Sequence, residues 1–204
     1  MNELSKYNHQ EEAINETLEY FSDDSNSRGK IIMPCGSGKS LTSFWVLEQL
    51  RLLRNVNRTI ITVPNLILQA QIFKTFYSSL SETHNFICIG SDKDVAGDYV
   101  DDEVTVTTYE KEIKSFLKYN KRNQVVIIAT YQSLNVISKI CNESYYEFDL
   151  AIIDEAHRTV GSKEKCFSTI LFDEEIKIKK RLFMTATEKV YVGKDDTIIG
   201  MENP

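Results

Sequence analysis

Residues 30–50 read "KIIMPCGSGKSLTSFWVLEQL". A short apolar run leads into a turn with two glycines, a lysine and a serine, and a helix-like pattern follows. Glycines let successive backbone N–H groups converge on one point. The start of the following helix adds a partial positive charge there. Strand, glycine loop and helix in this order form a cradle for phosphate, in which Lys39 reaches the β- and γ-phosphates and Ser40 offers a hydroxyl to Mg²⁺. The strict spacing GxxxxGK[ST] is not met, because Met33 stands where its first glycine belongs.

The same alternation runs outward in both directions. Ala13, Ile14, Thr17, Leu18 and Phe21 give "HQEEAINETLEYF" a helical face. Downstream, "RTIITVP", "NFICIG", "VTVTT", "QVVIIAT", "FDLAIID" and "KRLFMTAT" read as strands. Between them "NLILQAQIFKTFYSSL", "EKEIKSFLKYNKR", "YQSLNVISKI" and "KCFSTILF" read as helices. Trp45 and Phe44 sit in a helix that must pack on the sheet. Apolar strands alternating with amphipathic helices predict an α/β fold, a parallel sheet with helices on both faces. Ligands of such sheets bind beyond the carboxyl ends of the strands.

The chain has 204 residues, 42% hydrophobic and 26% charged, which suits one globular domain over residues 1–204. A net charge of −6 argues against an overall electrostatic grip on a polyanion, though not against a local groove. The four cysteines are scattered without a CxxC pair, which suggests neither zinc nor a disulfide framework. The polar, acidic N-terminus is unlike a secretory signal. No apolar run approaches the roughly 20 residues that span a bilayer. A cytoplasmic, reducing setting and no membrane partner are expected.

A second cluster lies in "LAIIDEAHR". Adjacent carboxylates at a strand end can divide labour, Asp154 holding Mg²⁺ and Glu155 orienting or deprotonating a water. Alone, such a pair reads as a helix cap and a solvated glutamate; beside a phosphate loop it reads as catalytic. Other charged stretches have plainer readings. Residues 92–103 resemble a calcium loop, but Ala96 replaces a ligand and no helix precedes it. Lys111, Lys114, Lys118 and Lys121 line one helical face, read as solvated. "KIKKR" reads as a charged approach to a strand, and His84 as a surface or loop residue.

"MPCGSGKS", "DEAHR" and "MTAT" together resemble superfamily 2 helicases and translocases, and among them DEAH-type motors related to restriction-enzyme motor subunits and to viral or plasmid helicases. "YNHQEEAI", "TVPNLILQAQ" and "ATYQSL" resemble further motifs of that family, in order. The resemblance implies a RecA-like ATP-binding lobe. Gln10 would read adenine; Gly36, Ser37, Gly38, Lys39 and Ser40 would hold the phosphates; Ser40 and Asp154 would hold Mg²⁺. Glu155 would act on the hydrolytic water. Pro64, Asn65, Gln69, Thr130, Tyr131 and Gln132 would lie along a nucleic-acid backbone, and His157, Thr185 and Thr187 would couple the two sites. His9 stands where the family often has tyrosine.

The resemblance further implies nucleic acid as partner, DNA in preference to RNA. It also implies a second lobe beyond Pro204 that carries an arginine finger, and the company of nuclease or restriction/modification subunits. A lobe without that finger is expected to bind ATP and hydrolyse it poorly. A nucleotide-gated binding module without motor activity, or a P-loop NTPase or kinase acting on small molecules or proteins, are the alternatives.

Overall fold

The computed structural model describes residues 5–80, 82–91, 104–158, 168–187, 191–192 and 198–199. Seven strands form one sheet: β1 (Arg28–Ile32), β2 (Arg58–Val63), β3 (Asn85–Ile89), β4 (Thr105–Thr107), β5 (Val125–Thr130), β6 (Phe148–Ile153) and β7 (Ile178–Thr185). All its pairings are parallel, in the order β1-β7-β6-β2-β5-β3-β4. Every residue of β5 and β6 is buried, as expected of strands covered on both faces.

Helices α1 (Asn8–Tyr20), α2 (Lys39–Arg54) and α3 (Leu66–Leu80) cover one face. There Phe44, Trp45, Leu47, Phe73 and Phe76 meet Ile61, Val63, Val126, Ile128 and Ile152. Helices α4 (Glu110–Tyr119) and α5 (Leu134–Ser144) cover the other, where Ile113, Leu117, Ile137 and Ile140 meet Ile60, Ile127, Ala151 and Ile153. Adjacent residues of β2 therefore enter different cores, and the three-layer expectation holds.

The first part of the helix expected over residues 165–172 lies outside the described residues; Ser168 is helical, and the 3-10 turn Thr169–Leu171 follows it. Arg181 holds the segment that follows. Its side chain is 1% exposed and donates to the carbonyls of Ile170, Ile176 and Ile178 and to the Asp173 carboxylate. Carbonyls of Ile170, Ile176 and Ile178 thus converge on one guanidinium. "KIKKR" is accordingly no loop-like approach: all but Lys177 lie in β7, with Arg181 in the interior. His84 is likewise buried, and burial pushes its imidazole down to about 4. Lys114 is bound to Glu143 and Glu110, which supports a solvated, ion-paired face for that helix. An antiparallel pair not foreseen from sequence, β8 (Tyr191–Val192) and β9 (Ile198–Ile199), follows β7. The acidic stretch 92–103 lies outside the described residues.

Candidate nucleotide and nucleic-acid edge

The carboxyl ends of all seven strands point the same way, because the sheet is parallel. The order of strands then divides that edge. The phosphate loop, the acidic pair and the "TAT" segment follow β1, β6 and β7, which are neighbours. The segments containing Asn65 and Gln132 follow β2 and β5, the next two strands.

The phosphate loop is fixed at its base by the Met33 N–H, which donates to the Thr185 carbonyl across 2.9 Å. The Met33 side chain is buried in the core under α1 and α2, so the departure from the usual glycine is accommodated by packing. Gly36 and Gly38 have φ of +79° and +88°, a conformation that favours glycine. Gly38 also caps α2. A Cβ there would lie 2.3 Å from Gln10 Nε2. Gln10 is 2% exposed and turned onto the loop: its Nε2 donates to the Ser37 carbonyl (3.3 Å), and its Oε1 accepts from the Tyr7 N–H (2.9 Å). Its amide thus contacts protein at both ends. His9 Nε2 lies 3.1 Å from the same Ser37 carbonyl. Beside α1 and β1 a cleft of about 900 Å³ opens, with His9, Pro34 and Ser37 along its lining.

Lys39 Nζ is 3.8 Å from Glu155 Oε1 and donates to the Met33 carbonyl at 3.4 Å. Glu155 has φ of +50°, which is uncommon for a side chain of its size. Its second oxygen is 3.2 Å from His157 Nδ1, itself 3.1 Å from Thr185 Oγ1. Thr185 donates to the Thr187 carbonyl and accepts from the Thr187 N–H. Lysine, glutamate, histidine and two threonines therefore form one continuous chain across three strand ends.

Asp154 lines a tight crevice with Lys39, Ser40 and Ser43. Burial, reinforced by the negative charge of Glu155, pushes its carboxyl up to about 6. A part-buried carboxylate beside a hydroxyl is a hard oxygen donor pair of the kind that suits Mg²⁺ shared with phosphate. The residues present fit that ion.

The far half of the edge is built differently. Asn65 and Gln132 are exposed, whereas Pro64 is buried. The side chains of Gln69, Thr130 and Tyr131 are buried too. Gln69 Nε2 donates to the carbonyls of Ile89 and Ile128, tying β3 to β5. Gly90 must lack a Cβ, which would fall 2.7 Å from Gln69 Oε1. Thr130 Oγ1 meets Ser133 Oγ at 3.0 Å, and the Tyr131 hydroxyl donates to the Asp154 carbonyl at 2.7 Å. Asn65 Oδ1 accepts from the Leu68 N–H and so caps α3. The Tyr131–Asp154 contact has no sequence signal, since nothing in either motif names a partner 23 residues away.

The family model described as "Type III restriction enzyme, res subunit" matches residues 3–190. The chain belongs to this res-subunit family. It is a helicase-like ATPase family of superfamily 2, and this chain has the fold of its N-terminal RecA-like lobe. Among solved structures, the res-subunit chain is 28% identical to a nuclease-deletion mutant of the Type ISP restriction-modification enzyme LlaGI in complex with a DNA substrate mimic (TM-score 0.78). It is 27% identical to the ATP-dependent Type ISP restriction-modification enzyme LlaBIII bound to DNA (TM-score 0.78). Each match covers 96% of this chain but only 18% and 14% of theirs. The SWI2/SNF2 ATPase core of Sulfolobus solfataricus in complex with dsDNA, 15% identical with a TM-score of 0.58, shares the fold; 96% of this chain matches 34% of that one. No curated protein sequence matches this chain.

Proposed function

We propose that residues 1–204 are the nucleotide-binding lobe of a DEAH-type DNA translocase or helicase, which hydrolyses ATP to ADP and phosphate in order to move along DNA. The observation that carries this is the unbroken chain Lys39–Glu155–His157–Thr185, which links the phosphate loop to the acidic pair and to the end of β7. The two DNA-bound restriction-modification enzymes at 27–28% identity support DNA as the track.

In the proposed reaction Lys39 transfers its charge from Glu155 to the β- and γ-phosphates of ATP. The released Glu155 carboxylate orients a water and takes its proton as the oxygen attacks the γ-phosphorus. The bond from that phosphorus to the β,γ-bridging oxygen breaks, and ADP leaves. Mg²⁺, held by Ser40 and Asp154, would neutralise charge on the phosphates. His157 carries the change at Glu155 to Thr185 and Thr187. Exposed Asn65 and Gln132, together with main-chain N–H groups, contact the DNA backbone without reading bases. A second lobe supplies the arginine finger, a group that adds about 10³–10⁵ in rate in other NTPases. The motor works inside the cell beside nuclease or modification partners.

Steady-state phosphate release tests this, comparing residues 1–204 with the full-length protein, each with and without duplex DNA, single-stranded DNA and RNA. The lobe alone should stay near background, and the full-length protein should be stimulated by DNA by orders of magnitude. Equal rates for lobe and full-length protein would end the two-lobe reading. Full-length ATPase indifferent to nucleic acid would end the motor reading.

A further inference from the structure

The Tyr131 ring is buried between the sheet and α5, in the same apolar cluster as Ala156. Its hydroxyl is the end that reaches polar ground, donating across 2.7 Å to the carbonyl of Asp154. That carbonyl belongs to the peptide joining the two carboxylate residues, immediately before the left-handed turn at Glu155. The other side of Asp154 is fixed as well, because its N–H donates to the Thr62 carbonyl on β2. Asp154, which precedes and aims Glu155, is therefore held from β2 through its N–H and from Tyr131 through its carbonyl. Tyr131 opens the 3-10 turn Tyr131–Ser133 at the end of β5. The next residue on that turn is the exposed Gln132.

We propose that Tyr131 is a positioning residue for hydrolysis: its hydroxyl holds the Asp154–Glu155 peptide in the left-handed turn and joins the acidic pair to the turn that carries Gln132. It touches neither nucleotide nor water. It acts through the direction of the Glu155 carboxylate. A left-handed glutamate is retained only where its surroundings over-determine it, and here a single side-chain hydroxyl provides one of the constraints. A displacement of the Gln132 turn by nucleic acid reaches Glu155 through one hydrogen bond, a shorter route than the His157–Thr185 side of the site.

This inference rests on the hydrolytic reading of Glu155. The test is Tyr131→Phe in the full-length protein, which removes one oxygen and leaves the ring in its core position. Turnover in the presence of saturating duplex DNA should fall about tenfold, the factor associated with one net hydrogen bond lost from the transition state. KM for ATP, affinity for a fluorescein-labelled duplex and the melting temperature should stay close to wild type. A variant with unchanged kcat overturns the positioning role. So does a loss of rate that is matched by loss of ATP affinity or of melting temperature, because the hydroxyl would then serve folding only. The wild-type control separates this from the broader reading. A wild-type protein without DNA-stimulated turnover overturns the proposed function and the positioning role together. An active wild type with an unaffected Phe variant overturns Tyr131 alone.

Discussion

The two halves of the sheet's carboxyl edge are built on different terms. At β1, β6 and β7 charged and polar side chains face one another: Lys39 meets Glu155, Glu155 meets His157, and His157 meets Thr185. At β2 and β5 polar side chains such as Gln69 and Thr130 turn inward to hold strand ends, while Asn65 and Gln132 project. One half places charge in advance, as phosphoryl transfer requires. The other presents backbone and short tips, which suits a regular polyanion. Substitutions in the first half should therefore have large effects and those in the second small ones.

The widest gap should come from Glu155→Gln in the full-length protein. It keeps shape but cannot accept the proton, so turnover should drop by about 10²–10⁴ while ATP affinity holds. Single-turnover phosphate release with a binding titration would measure both, and wild-type turnover would move the base elsewhere. Lys39→Ala should weaken ATP binding by about 100-fold, from the loss of charge-assisted contacts to phosphate. Titration of a fluorescent ATP analogue, with circular dichroism to check the fold, decides it.

Asp154→Asn sharpens the contrast through stability. The folded carboxyl titrates at about 6, above its ordinary value near 3.9. A raised acid favours the folded state when protonated, so the metal-free protein loses stability as pH climbs from about 4 to 6 and stays lower above that. At about pH 8 the Asn variant should be more stable than wild type by roughly 1–3 kcal/mol in EDTA, and the gain should shrink near pH 4. Urea melts at both pH values test this; a destabilised variant at high pH would show that the carboxylate is not strained. The smallest effect belongs to the far half. Gln132→Ala should reduce DNA affinity only about two- to fivefold, with ATP binding untouched. A hundredfold loss, read by fluorescence anisotropy, would erase the distinction between the halves.

How far the sequence could be read follows the same division. The strands were legible because a parallel strand covered on both faces must be apolar throughout, as "VVIIAT" is. The phosphate loop was legible because its positive φ values restrict two positions to glycine. Gln69 and Tyr131 were not, because a polar residue near a strand end can face solvent or turn back. What decided between them was acceptors 20 and 59 residues away for Gln69. Arg181 looked like surface charge in "KIKKR", since nothing local reveals that three carbonyls and a carboxylate converge on it.

The position of β1 at one end of the sheet order has a consequence for biosynthesis. β1 is finished at Ile32, but its neighbour β7 begins only at Ile178. At roughly 5–20 residues per second, a ribosome needs on the order of 10–30 s to cover that interval. During this time the first strand has no parallel mate, and the Met33 N–H lacks the Thr185 carbonyl that anchors the phosphate loop. A nascent chain therefore becomes able to grip ATP late and abruptly, after the "TAT" segment has left the exit tunnel. Until then the apolar side chains of β1 depend on the helices of its own face, α1 and α2, or on a chaperone, for cover.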